Sequence, residues 1–166
     1  VLIFLFFLMP KVRGAIWYVL GLLTKQFPNQ MDKFQIEIQD VLYNHLNEQF
    51  YSKKPEQKAI VGMLKGFRCS LIRPHLQNKQ IDQLYIIVKV GMTPIDDIQR
   101  YKVLINCLRI LQDHHKLFKD HILRDTKELF EKFMVLITHQ NRDVKENASE
   151  AFEAYISEVR IFMPRV

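Results

Sequence analysis

The chain has 166 residues, 48% of them hydrophobic and 25% charged, and its net charge is +6. That balance supports a buried core and excludes a disordered chain. The basic excess permits an anionic partner, nucleic acid or an acidic protein surface, and is equally compatible with an ordinary solvated surface. With only 5 Gly and 6 Pro and few alternating runs, the composition favours helix over sheet.

Val1 to Met9 is wholly apolar but far short of the ~20 residues that span a bilayer. Lys11 and Arg13 follow the apolar run instead of preceding it, so it is not a secretory signal either. Residues 1–10 are expected to be a divergent or artefactual start, or the tail of a helix from a preceding repeat. A chain that begins on Val reads as a fragment or a processed product.

Seven helical segments follow in order. The first spans about 12–27 and is stopped by Pro28. The second spans about 31–51, with Phe34, Ile38, Val41, Leu42, Leu46 and Phe50 at steps of three and four. The third opens on Pro55 and runs to about Arg73, carrying Ile60, Met63, Leu64, Phe67, Leu71 and Ile72. The fourth, about 79–90, buries Ile81, Leu84, Tyr85 and Val88 and is expected to end on Gly91 as a C-cap. The fifth covers about 95–113, with Asp96 and Asp97 in its first turn and Tyr101, Leu104, Ile105, Leu108 and Leu111 inward. A sixth, about 116–139, is lined by Ile122, Leu129, Phe130, Phe133, Met134 and Ile137. The last, about 143–160, is capped by Asp143, with Val144, Ala148, Phe152, Tyr155, Ile156 and Val159 inward.

Alternate helices repeat. Arg13, Lys58, Arg100 and Lys145 each sit in a first turn, at spacings of 45, 42 and 45. That period is the HEAT range. The expected fold is therefore all-α, a HEAT-type helical-hairpin solenoid (an α-α superhelix) of about seven helices. Residues 11–166 form one continuous array: 11–28 is the second helix of a preceding repeat, and 31–73, 79–113 and 116–160 are hairpins. An amphipathic hairpin needs neighbours to cover its apolar stripe. Its inner helix needs small residues at crossings, a role for Gly62, Gly66, Ala148, Ala151 and Ala154.

Catalytic chemistry is not expected. Gly62-Met63-Leu64-Lys65-Gly66 lacks the spacing and the Lys-Ser/Thr of a phosphate loop. Asp113, His114, His115, Asp120 and His121 cluster in sequence but lack metal-ligand spacing, and solvated turn residues are the default. Cys69 and Cys107 lie on apolar-periodic faces without a CxxC, so buried free thiols are favoured over a disulfide or a zinc ribbon. No GxSxG turn and no kinase motif set is present. Asn147-Ala148-Ser149 is a sequon inside a helix and reads as chance. No catalytic residue, metal or cofactor is assigned.

The candidate contacts are basic: Lys53, Lys54, Lys58, Arg100, Lys102 and Lys145. Two readings stand. In one, the repeat-register cations Lys58, Arg100 and Lys145 pair internally with carboxylates such as Asp97 and Asp143. In the other, they form a track for DNA phosphates, sequence-independent because no aromatics interleave them for base stacking.

Four strings in order carry a family resemblance: Lys11-Val12 through Trp17-Tyr18-Val19-Leu20-Gly21-Leu22-Leu23, Ala59 to Phe67, Ile95 to Tyr101, and Val144 to Tyr155. Over about 11–160 the chain resembles the N-terminal region of the DNA-dependent protein kinase catalytic-subunit family, within the phosphatidylinositol-3-kinase-related kinases. The resemblance implies a very large nuclear serine/threonine kinase of non-homologous end joining. It implies double-stranded DNA ends and the Ku heterodimer as partners, adjacent HEAT repeats of the same chain as neighbours, no membrane, and a distant kinase domain. The alternative is a HEAT adaptor unrelated to DNA repair, such as a transport or phosphatase scaffold.

Overall fold

A computed structural model describes residue 4, residues 8–94 and residues 97–160, with the side chains of residues 98 and 99 outside the description. Among these, the secondary structure is helical: α1 Pro10–Gln26, α2 Pro28–Met31, α3 Gln35–Phe50, α4 Gln57–Ser70, α5 Asn78–Gly91, α6 Ile98–His114, α7 Lys119–Arg124, α8 Thr126–Ile137 and α9 Arg142–Arg160. Seven of these helices have twelve or more residues, which agrees with the seven segments read from apolar spacing. The fold is all-α and of the helical-repeat class. The expectations for residues 1–3 and 5–7, for Ile95 and Asp96, and for residues 161–166 lie outside the described residues.

The chain divides into two compact units, residues 1–80 and 81–166. In the first, α3 runs antiparallel to both α1 and α4. Trp17 meets His45 and Arg13 meets Glu48, while Gln39 reaches the carbonyls of Ser70 and Arg73. α1 and α4 consequently run parallel, side by side. Their crossing is backbone on backbone: a Cβ on Gly21 would stand 2.5 Å from the Gly66 carbonyl oxygen, and one on Gly14 would stand 2.8 Å from Ala59 Cα. Both pairs are 45 residues apart, the repeat length read from the basic residues. Trp17, Leu42, Leu46, Met63, Leu64 and Phe67 fill the core beneath this crossing, each 0% exposed.

In the second unit α6 and α9 also run parallel. Arg109 Nε donates to Asn147 Oδ1 at 2.8 Å, and Gln112 Nε2 donates to Glu150 Oε2 at 3.3 Å, both across 38 residues. α8 packs antiparallel on α9 through Phe133, Phe152 and Tyr155, and the Tyr155 hydroxyl donates to the Thr126 carbonyl at 2.9 Å. Leu104, Leu108, Leu111, Leu129, Val144, Ala148 and Ala151 are buried here.

Several local expectations change. Residues 116–139 are not one helix: a 3-10 turn at His115–Phe118 and a break at Asp125 divide the segment into α7 and α8. Asp125 has a non-helical backbone at this break, and its carboxylate joins a cross-helix network with Tyr85 and Lys89 that a continuous apolar helix face would not accommodate. The cap of α9 is Asn141, not Asp143; Asn141 Oδ1 accepts from the Val144 amide at 3.1 Å, and Asp143 sits in the first turn. Gly91 is not a left-handed C-cap, since no described glycine has a positive φ. It is small because the Cys107 thiol occupies the space a Cβ would need. Phe34, Ile72, Phe130 and Met134 are exposed, not inward.

Candidate polyanion and partner surface

All six basic residues singled out by sequence are exposed. Lys53 and Lys54 lie in the turn between α3 and α4, where the Lys54 amide donates to Ser52 Oγ at 3.2 Å. Lys58 is in the first turn of α4, Arg100 and Lys102 in the first turns of α6, and Lys145 in the first turn of α9. Lys53, Lys54 and Lys58 thus belong to the first unit, and Arg100, Lys102 and Lys145 to the second. Among the described residues none of the six is in an ion pair. In α9 the ion pair formed is instead Arg142 with Glu146, one turn apart at 2.6 Å. The earlier repeat position behaves differently: Arg13 is 5% exposed and reaches Glu48 at 3.5 Å.

Charge is distributed unevenly between the units. Residues 1–80 hold 11 of the 24 Lys and Arg but only 5 of the 18 acidic residues, so they carry the whole net charge of +6. Residues 81–166 hold 13 of each sign. The long-range electrostatic field of the first unit is therefore positive, whereas the second unit has no net charge.

Sequence reasoning missed two polar networks. Trp17 Nε1 donates to His45 Nδ1 at 2.8 Å in a fully buried pair. Nδ1 must then be the unprotonated nitrogen. Burial, together with the Arg13 charge, lowers the His45 pKa to about 4. The second network joins α5 to α7 and α8. Lys89 Nζ bridges Asp125 Oδ2 at 2.8 Å and Glu128 Oε2 at 2.9 Å, and the Tyr85 hydroxyl donates to Asp125 Oδ2 at 3.1 Å. Burial alone would raise the Asp125 carboxyl, but hydrogen bonds from Lys89, Arg124 and Tyr85 outweigh it and hold it below the ordinary value. The hydrogen bonds to Asp125 and Glu128 raise Lys89 against the effect of its burial, and burial with the Asp125 charge raises Tyr85. No periodicity marks these partners; the only signal was a lysine and a tyrosine on a face otherwise read as core.

The histidine cluster is not a solvated turn. His115 Nδ1 lies 2.5 Å from Glu158 Oε1, and His121 Nε2 lies 2.7 Å from Asp82 Oδ1, so each histidine ties the segment to a different helix. Among the described residues no group of three or more His, Cys, Asp or Glu could hold a metal. Neither cysteine is in a disulfide; Cys107 is buried, and burial pushes its thiol up to about 12, whereas Cys69 is half-buried and not the core residue expected. No described helix is long and apolar enough to cross a membrane.

Comparison with known proteins gives a match to the family described as "DNA-PKcs, N-terminal" over residues 8–165. A DNA-dependent protein kinase catalytic subunit from Dictyostelium discoideum is 26% identical over 160 residues, which cover 90% of this chain and 4% of the relative. Proteins of the same name from Canis lupus familiaris and Mus musculus are 22% and 23% identical, over 93% and 89% of this chain and again 4% of the relative. The chain spans about 4% of the length of the curated relatives it matches.

Proposed function

Because the chain belongs to the family of the DNA-PKcs N-terminal region, we propose that it is a HEAT-repeat segment of a large nuclear serine/threonine kinase of double-strand break repair, acting by shape and charge. In this reading it is a non-catalytic part of the arm that helps to cradle double-stranded DNA and the Ku heterodimer during non-homologous end joining. The kinase chemistry resides elsewhere in the parent. Residues 11–166 make one array, with 11–28 closing a preceding repeat and hairpins at 31–73, 79–113 and 116–160. Lys53, Lys54, Lys58, Arg100, Lys102 and Lys145 are backbone-level contacts to phosphate or to an acidic partner.

The observation that carries this reading is the family match across nearly the whole chain. Cations without ion-pair partners and helices stacked at a 38–45 residue period support it. The adaptor alternative has no comparable support. The test is binding of a fluorescent blunt duplex by the full-length chain, with and without Ku, against a covalently closed duplex. Preference for free ends with Ku supports the cradle; equal, weak binding to both refutes it.

A further inference from the structure

The helices α1 and α4 contain no acidic residue, whereas they carry Lys11, Arg13, Lys25, Lys58, Lys65 and Arg68. Lys11, Tyr18 and Lys25 are seven residues apart along α1, and Lys58 and Lys65 are seven apart along α4. Residues at that spacing share one helix edge, since seven residues are close to two full turns. The edges meet, because Lys65 Nζ lies 5.1 Å from the centre of the Tyr18 ring. They are held side by side by the glycine crossing, with α3 on the other side of the pair taking Arg13 and Trp17. Lys11, Lys25 and Lys58 are exposed, and Lys65 and Tyr18 half-buried.

From this juxtaposition we infer that the paired edges of α1 and α4 form a cationic strip, Lys11, Lys25, Lys58 and Lys65, that binds the phosphate backbone of a nucleic-acid duplex. The inference deepens the proposed function and rests on it: it moves the main contact from six scattered cations to one face of the first unit. Lys11 to Lys25 spans about 21 Å at 1.5 Å per residue. A duplex strand offers a phosphate every ~3.4 Å, so it meets each lysine along the strip without a specific sequence. An acidic protein would have to place carboxylates at matching intervals. Tyr18 lies beneath a cation and is not presented for base stacking. Glu56, at the start of α4, is the nearest acidic residue in sequence, and it marks the end of the strip. Of the other acids of this unit, Asp32 meets Arg73, Asp40 meets Gln80 and Glu48 meets Arg13, while Glu37 lies on α3 and not on either helix of the strip.

The experiment measures affinity of the full chain for a 30-base-pair duplex between about 50 and 200 mM salt, with a polyglutamate peptide as second probe. One variant is Lys11→Gln/Lys25→Gln/Lys65→Gln; the other is Lys53→Gln/Lys54→Gln/Lys102→Gln/Lys145→Gln. The strip variant is expected to lose roughly tenfold or more and to reduce the salt slope by about 2.7, at ~0.9 per phosphate contact. Arg at the same three positions restores binding, which separates charge from folding. If the second variant loses binding and the strip variant does not, the strip is wrong while the proposed function stands. No salt-dependent duplex binding by the unaltered chain refutes both. Tighter binding of polyglutamate than duplex makes the strip a protein-docking face and overturns the inference.

Discussion

Gly62 of α4 lies so close to the backbone of Gly14 on α1 that a Cβ on Gly62 would overlap the Gly14 carbonyl. In an open helix Gly→Ala gains about 1 kcal/mol. Here the neighbouring atoms are backbone and cannot step aside. Gly62→Ala and Gly21→Ala are therefore each expected to destabilise by roughly 1–3 kcal/mol, read as a lower urea midpoint. A raised midpoint would mean the two helices do not cross at these glycines.

Gly91 presents the same constraint with a different partner. An added methyl meets Cys107 Sγ, a single side chain that can be trimmed. Gly91→Ala alone is expected to cost about 1–2 kcal/mol. Cys107→Ala in the same chain should recover part of that loss, giving a coupling of at least about 0.5 kcal/mol in a double-mutant cycle. Strictly additive costs would show that the two positions do not touch.

Acid should destabilise the first unit through His45. The unfolded chain takes up a proton near 6.5, but folded His45 does so only near 4, so the unfolded state binds more protons between these values. Stability falls as pH drops from about 6.5 to about 4, by at most about 3 kcal/mol. His45→Gln should flatten this part of the pH–stability curve, as followed by Trp17 fluorescence. An unchanged slope would place His45 in contact with solvent.

The Lys89 clamp makes a further prediction. Lys89→Met leaves Asp125, whose side chain is 13% exposed, with one cation fewer. The expected cost is about 1–3 kcal/mol, read by denaturant unfolding. Asp125 has a lowered folded pKa, so its contribution is present above the unfolded value and lost as pH falls through the folded one. An unaltered unfolding midpoint would show that water replaces the clamp without loss.

What the sequence made legible is what periodicity encodes. Helix count, the 45-residue spacing, and the close-packing role of Gly62 and Gly66 follow from apolar steps and glycine placement. The cross-helix partners do not. Trp17 with His45, and Lys89 with Asp125, are 28 and 36 residues apart, and nothing local distinguishes them from other polar residues. The break at Asp125 was hidden for the same reason, since apolar spacing runs through it. Asn141 and Asp143 both suit an N-cap, and only the hydrogen bond to Val144 decides between them. The six basic candidates were drawn from repeat register, which is blind to charge balance; the excess lies in residues 1–80.

The salt dependence of duplex binding tests the account most directly. For the unaltered full-length chain, log affinity for a blunt duplex plotted against log salt should fall with a slope of about −3 or steeper, as four or so lysines each release counterions. A slope near zero, or no binding at about 50 mM salt, would contradict a charged binding segment and leave only a structural spacer.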